Sequence, residues 1–507
     1  MAEKSRSTVC AIVEEVTSGT LAVPSTGTAY VPLEEGAYSM TPTFEIIENN
    51  EIKASLAKSK PILGLEGVES AMDLYLKHSG VEGQAPNYSP LLKCAFGEVE
   101  TNATQYLTAG SSTVSGINVT AGSGIFFGRG EAVLLKDATN NYSIRPIASV
   151  ATDTLVPAFN LSAAPASGIG LGKAIKYTAS AAGPSTTVSK WLFQGNGGAI
   201  EASAGNRVTS YKMSVAAGEV INQSFSLQGT QYYFNPITIT SSSKYIDFTT
   251  DAGTAAAVLT EKTYRHPLEL AAEIQSKMDA AAGGSETIVC VYNSIGTDAG
   301  KFTITASGTA VFSILWNSGT NAANSAKTKL GFSNANDTGS LSYKSDSVQS
   351  WAAYNSPSYD NADLLVAKNM EVYFGSATDN VCYGVESFDF TMDEPTQDVK
   401  DICATTAISE KLTQERNSSI DMVLTLKRHE SETFKRFLEG TTIAFMFAFG
   451  TKSGSNWEAG KCGCLYLPSI TITNFSVADA DGIITLNLTL DAFADSSGNP
   501  EVYLNYL

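Results

Sequence analysis

One short pattern occurs twice in this chain and constrains its fold more than any other feature. Met72-Asp73-Leu74-Tyr75-Leu76-Lys77-His78 returns late in the chain as Met422-Val423-Leu424-Thr425-Leu426-Lys427-Arg428, with apolar residues at the same alternate positions and a basic pair at the end. Apolar residues at every second position mark a strand with one buried face. A short apolar stretch ending in glycine follows each run, Leu91 to Gly97 in one case and Phe434 to Gly440 in the other, which predicts two matching helices. A third match joins Ser214-Val215-Ala216, a turn at Gly218 and Phe225-Ser226-Leu227 to Ser476-Val477-Ala478, a turn at Gly482 and Leu488-Thr489-Leu490. Elements recurring in one order imply duplication of a whole unit, because a single short match arises by chance.

A chain of 507 residues exceeds what one core supports and implies roughly three or four domains. With 43% hydrophobic and 17% charged residues it carries enough apolar material to fold, despite its many Ser, Thr, Gly and Ala residues. Acids outnumber bases 51 to 33, for a formal charge of −18. That excludes a strong grip on nucleic acid, which is powered by Lys and Arg displacing counterions from phosphates. An acidic surface can still let DNA pass. The start, Met1 to Ser7, lacks the apolar core of a signal peptide, and no apolar run approaches the length of a membrane span, so a soluble chain made in a cytoplasm is expected, with no membrane partner.

Seven cysteines spread over the chain do not suggest a disulfide framework. Cys462 and Cys464 are placed to share one strand face, but His78, His266 and His429 are distant in sequence and form no ligand-spaced pair, so no metal site is expected. Gly168-Ile169-Gly170-Leu171-Gly172-Lys173 has glycines and a lysine like a phosphate loop, yet Ser167 replaces the first glycine and Ala174 follows the lysine, which leaves no hydroxyl for Mg²⁺. Asp479-Ala480-Asp481-Gly482 opens like a calcium loop without its distal glutamate, and reads as a hairpin turn. No Gly-X-Ser-X-Gly elbow occurs. No catalytic, cofactor-binding or metal-binding residue is assigned, and the expected role is structural, not enzymatic.

The fold class expected is mainly β, with short helices and an inserted α+β module. Residues 1–104 plus 181–235 form a first unit, and 105–180 a small β-barrel-like insertion with strands at Ile125-Phe126-Phe127, Ala132 to Leu135 and Ile175 to Tyr177. Residues 236–345 form the α+β module and 346–507 the second unit. Residues 1–40 read as an arm or hairpin, and Pro42 to Gly67 as a long loop or β-ribbon with little core of its own. Both segments are expected to order on assembly. Ser89 is placed to cap the helix that Pro90 begins. In the module, Pro267, then Leu270, Ile274 and Met278 at four-residue intervals, then Gly283-Gly284, describe an amphipathic helix. That helix is expected to pack on the strand Phe312 to Trp316, in a module that folds alone. The tryptophans Trp191, Trp316, Trp351 and Trp457 are scattered, as core residues are.

At these residues the chain resembles the tail tube proteins of long-tailed bacteriophages. The likeness rests on Asn50-Glu51-Ile52-Lys53 entering the polar loop, Gly64-Leu65-Glu66-Gly67 before the strand at Met72, Tyr88-Ser89-Pro90-Leu91-Leu92 through Phe96-Gly97, and the strand pair Ile470 to Phe475 with Ile484 to Leu488. The module with Phe312 to Gly319 and Leu330-Gly331-Phe332 is similar to one recurring in phage virion proteins. The resemblance implies a virion protein, made and assembled in the host cytoplasm, whose β-barrel or sandwich units join their sheets around a lumen. Rings stack through arm and loop, and double-stranded DNA passes through the bore without specific binding. Other tail proteins (tape measure, tail terminator, distal tail) are the implied partners. A duplicated unit implies three chains in a pseudo-sixfold ring, with the inserted modules outside. The alternative is a decoration protein or tail-tip adhesin that binds the host surface.

Overall fold

The computed structural model describes residues 8–34, 36, 38–51, 57–136, 142–180, 183–192, 199–283, 286–348, 357–360, 362–379, 384–426, 431–480 and 482–507. The fold is mainly β, with four short α-helices among the described residues. Its centre is built, in chain order, from β1 (Tyr38–Ile47), β2 (Ile62–Tyr75), α1 (Ser89–Phe96), β3 (Gly97–Asn102), β4 (Ala174–Ala179), β5 (Ile200–Ala216) and β6 (Asn222–Gly229). The later half adds β7 (Val385–Asp393), β8 (Asn417–Thr425), α3 (Ser431–Glu439), β9 (Ile443–Ser453), β10 (Asn456–Ala480), β11 (Ile483–Ala492) and β12 (Tyr503–Tyr506), and α2 (Pro267–Ala282) lies between the halves.

The repeat is a unit of four antiparallel strands. In the first copy the order is β1-β2-β6-β5, and in the second it is β7-β8-β11-β10. Met72 on β2 faces Phe225, which faces Tyr211; Met422 on β8 faces Leu488, which faces Phe475. The strand match found in sequence is therefore a positional equivalence. The third match is displaced by two residues in its leading strand, because the β5–β6 connection is longer than the β10–β11 turn. A shift of two preserves which face each side chain points to, so the alternation looked the same.

The copies are fused edge to edge. β5 pairs with β7, from Ser210 opposite Asp393 to Ala216 opposite Ser387, which makes one eight-stranded sheet running β1-β2-β6-β5-β7-β8-β11-β10. One core lies beneath it: Met72, Phe225, Tyr211, Phe390, Met422, Leu488 and Ile470 belong to a single buried cluster. Phe388 meets Phe447 of β9 edge-on at 4.9 Å between ring centres. β5 and β10 each continue past a register shift into a second layer. The first half of β5 pairs with Thr186–Trp191 and Gln231–Phe234, while the first half of β10 pairs with β9 and β12. At the bend in β5, Gly205 has φ +69°, and a Cβ there would meet the Thr230 hydroxyl at 2.3 Å.

Helix α1 lies against β5 and β4, with Leu91, Leu92, Ala95 and Phe96 fully buried. Ser89 is its first helical residue and not its cap; the Ser89 hydroxyl accepts a 2.7 Å hydrogen bond from the Tyr177 phenol. Gly97 stops the helix at φ +93°, where a Cβ would sit 2.4 Å from the Ser180 carbonyl oxygen.

Three expectations are corrected. Of the arm and the hairpin, the hairpin is what forms: Val9–Glu14 pairs with Tyr30–Val31 and also with Thr186–Trp191, and with Val9 to Ile12 buried it is not a loose arm left to order on assembly. Within 105–180, the strand read at Ile175 to Tyr177 is β4 of the main sheet, paired with β3 and β12, and Gly124–Phe126 is a 3₁₀ turn. The remainder, 105–173, is an open four-stranded sheet and a two-stranded ribbon around Ile117, Leu135, Ile147 and Leu155, not a closed barrel among the described residues. The 236–345 module has its amphipathic helix α2, with Leu270, Ile274 and Met278 fully buried. However, α2 packs chiefly on Thr287–Asn293 and Gly253–Val258, and the module's core runs on into Val9, Ala11, Tyr30 and Ile200 of the body. It shares a core with the body and is not an isolated domain. Phe302 to Thr305 and Phe312 to Trp316 fall in different sheets.

Candidate functional site

The eight-stranded sheet buries one face and wets the other, so alternate residues of its strands form a continuous polar surface. Among the described residues, charged side chains of these strands include Glu69 and Asp73 on β2, Arg207 and Lys212 on β5, Asp389 and Asp393 on β7, Asp421 on β8 and Asp491 on β11, and Arg207 donates to the Gly183 carbonyl. Carboxylates dominate, and the ammonium among them is engaged: Lys212 Nζ lies 3.0 Å from Asp389 Oδ2 across the seam between copies. Asp421 accepts a 2.8 Å hydrogen bond from the Thr489 hydroxyl. Glu34, Glu219, Asp389 and Asp421 border a shallow concavity of about 820 Å³ on this face. Such a surface repels a polyanion and, among the described residues, offers no free cation to hold a phosphate.

The sheet has two open edges among the described residues. β1 pairs with β2 alone, and the outer half of β10, beyond the reach of β9, pairs with β11 alone. Unpaired edges present rows of backbone donors and acceptors that invite another strand. Beside the β10 edge, Val477, Ile483, Ile484, Phe434 and Leu438 are all exposed.

Two ribbons leave the same end of the sheet. The first is the distal part of the β1–β2 hairpin, paired as far as Ile47 opposite Ile62, so the 42–67 stretch is a β-ribbon; residues 52–56 lie outside the described residues. The second is Thr396–Lys400 paired with Ile408–Thr413, inserted between β7 and β8 at the equivalent point of the second copy. They touch, because Glu66 N donates to the Thr406 carbonyl at 3.3 Å. Their ends carry exposed Ile46, Ile62, Leu63 and Ile402. Arg265 of the α+β module anchors the first ribbon through an ion pair with Glu66. The second ribbon was not legible as a copy of the first, because the two share position and not sequence.

The residues weighed for chemistry lie elsewhere. Cys462 and Cys464 share one face of β10 and are buried, with burial pushing the Cys462 thiol up to about 12 and the Cys464 thiol higher still. His78 is buried, and its imidazole is depressed to about 4 chiefly by that burial. His266 caps α2, its Nδ1 accepting from Glu269 N at 3.1 Å, while His429 lies outside the described residues. Gly170–Leu171 is a short ribbon strand with Leu171 buried, and the Gly482 N–H closes its turn on Asp479 at 2.8 Å. Trp316 and Trp457 are core residues.

No family model and no curated protein sequence matches the chain. Among solved structures it is similar in part to the hybrid structure of the SPP1 tail tube by solid-state NMR and cryo EM. That likeness covers 27% of this chain and 76% of that chain at 11% identity, with a TM-score of 0.21. A likeness of that extent fixes neither fold nor function. No described helix is long and apolar enough to cross a membrane.

Proposed function

We propose that this chain is the structural subunit of a phage tail tube, joining with its own copies into rings that stack into a conduit for DNA ejection. One observation carries the reading: a duplicated sheet with one buried face, one acidic face and an open edge at each end. Two open edges of one chain can be satisfied together by binding head to tail, and a rotation that closes yields a ring instead of an endless ribbon. Two units per chain make three chains a pseudo-sixfold ring. The acidic face becomes the bore, where phosphates are repelled and DNA slides without sticking. The two ribbons, with their exposed isoleucines, reach the next ring. Partners are further copies of the chain and the proteins that cap and fill the tube, and the role is structural, not catalytic.

Cryo-electron microscopy of the purified chain at high concentration tests the proposal. Hollow tubes with three chains per ring are expected. Six chains per ring would overturn the stoichiometry, and a chain that stays monomeric at every concentration and salt condition would overturn the tube itself.

A further inference from the structure

The seam between the two copies is a template for a seam between two chains. Through their shared partners, Tyr211 of β5 corresponds to Phe475 of β10, and Phe388 of β7 corresponds to Tyr38 of β1. The open edge of β10 is thus the positional equivalent of the β5 edge that pairs with β7. The open edge of β1 is likewise the equivalent of the β7 edge that pairs with β5.

Burial points the same way. Tyr211, Met213, Phe388, Phe390 and Met392 meet at the internal seam and are all buried. At the open edges, their equivalents Phe475, Tyr38 and Met40 are only half-buried, and Val477, the equivalent of Met213, is 56% exposed. Apolar side chains stand where the internal seam has them: Phe475 rests against Phe434 and Phe437 of α3 and Tyr38 lies beneath the Lys190 ammonium, while Val477 keeps more than half of its surface exposed. Continuity with the internal seam names the occupant as a second copy of this chain.

We infer that Phe475–Asp479 of one chain pairs antiparallel with Tyr38–Pro42 of the next, in the register of the internal seam. Phe475 then lies opposite Pro42, Ser476 opposite Thr41, Val477 opposite Met40, Ala478 opposite Ser39 and Asp479 opposite Tyr38. Pro42 has no N–H to give and sets the end of this ladder, at the place held internally by Met392 near the end of β7. The seams differ in one respect. Lys212 and Asp389 bridge the internal seam on the acidic face, whereas Ser476 and Ser39 hold those two positions between chains. The seam between chains therefore lacks an ion pair, and its formation is the less sensitive of the two to salt.

This register rests on the ring-forming reading above, and cysteine cross-linking separates the two. In a background with Cys382 and Cys403 replaced by serine, Thr41→Cys with Ser476→Cys places two thiols directly opposite. Thr41→Cys with Ala478→Cys places them a diagonal step apart, beyond disulfide reach. Both pairs of substitutions lie on the polar face. With copper phenanthroline and air as oxidant, assembled rings of the first variant should become covalently closed at least tenfold faster than those of the second, as read on non-reducing gels. Rings visible by microscopy that link equally fast through both pairs, or through neither, would refute this register while leaving the ring intact. Absence of rings from the unsubstituted chain would refute the tube reading first. Val477→Glu is the independent check: a folded monomer with ring formation reduced more than tenfold is expected, and undiminished rings would also refute the seam.

Discussion

Lys212 and Asp389 sit in different copies of the repeated unit, and their ion pair closes at 3.0 Å across the seam that makes the two copies one sheet. The contact is on the wet face and each side chain is nearly half exposed. Beneath it, on the dry face of the same two strands, Met213 and Phe390 are fully buried.

That difference sets the first expectation. Lys212→Ala and Asp389→Ala should each cost little, with a coupling of about 0.5 kcal/mol or less in a double-mutant cycle. Phe390→Ala opens a cavity in the shared core and should cost about 3 to 5 kcal/mol. Urea unfolding of the monomer measures both, and an ion-pair coupling as large as the cavity effect would show that charge, not packing, holds the copies together.

Glu394 supplies a pH dependence. It follows β7 directly, is buried, and shares Arg416 with Glu501, while the Arg416 guanidinium also donates to the Ser180 carbonyl at 2.7 Å. Burial, only partly offset by Arg416, raises its carboxyl to about 7 from 4.5. The folded chain therefore holds a proton between those values that the unfolded chain has released, so this group's contribution to stability falls as pH rises through that window. The loss is roughly 3 kcal/mol at most. Glu394→Gln should flatten the decline in stability between pH 5 and pH 7.5, and parallel curves for variant and parent would remove Glu394 as its source.

The first ribbon can be shortened without touching the sheet. Replacing residues 48–61 by Asn-Gly joins Ile47 to Ile62, which already pair, through a two-residue turn suited to a hairpin. The expected product is a folded chain that makes rings but not long tubes. Tubes of ordinary length would show that stacking uses another surface.

Ile274→Asp puts an unpaired charge into the core of the α+β module and should cost roughly 3 kcal/mol or more. Because that core continues into Val9 and Ala11, faster hydrogen exchange is expected in Val9–Glu14 as well as in Thr287–Asn293. Faster exchange in the module alone would mean that it is energetically separate.

What the sequence disclosed was local. The helix at Pro267 was legible because its apolar residues recur at helical spacing and Pro267 and Gly283 punctuate its ends, whereas the His266 cap was not. The strands around Met72 and Met422 were legible because each has a wet face and a dry face. The pairing of β5 with β7 was not, because nothing in Ser210–Ala216 names a partner so far away in sequence. The place of Ile175 to Tyr177 in the main sheet was hidden for a second reason: β4 is buried on both faces, which erases alternation. The acidic face followed in outline from the net charge, but only the sheet order shows that Asp73, Asp389, Asp421 and Asp491 share it.

The four residues of β12 have a consequence for how the chain matures. Tyr503–Tyr506 lies between β10 and β4, so it ties Gly463–Tyr466 to Ile175–Thr178 and thereby to the first copy. Closing that gap requires segments from different halves of the chain to meet, the kind of nonlocal step that makes folding slow. Until it occurs, β4 and the inner half of β10 are themselves uncovered edges, open to strands of unfinished neighbours. A lesion in Tyr503–Tyr506 should therefore appear first as aggregation during biogenesis, at a site remote from any surface the finished molecule presents.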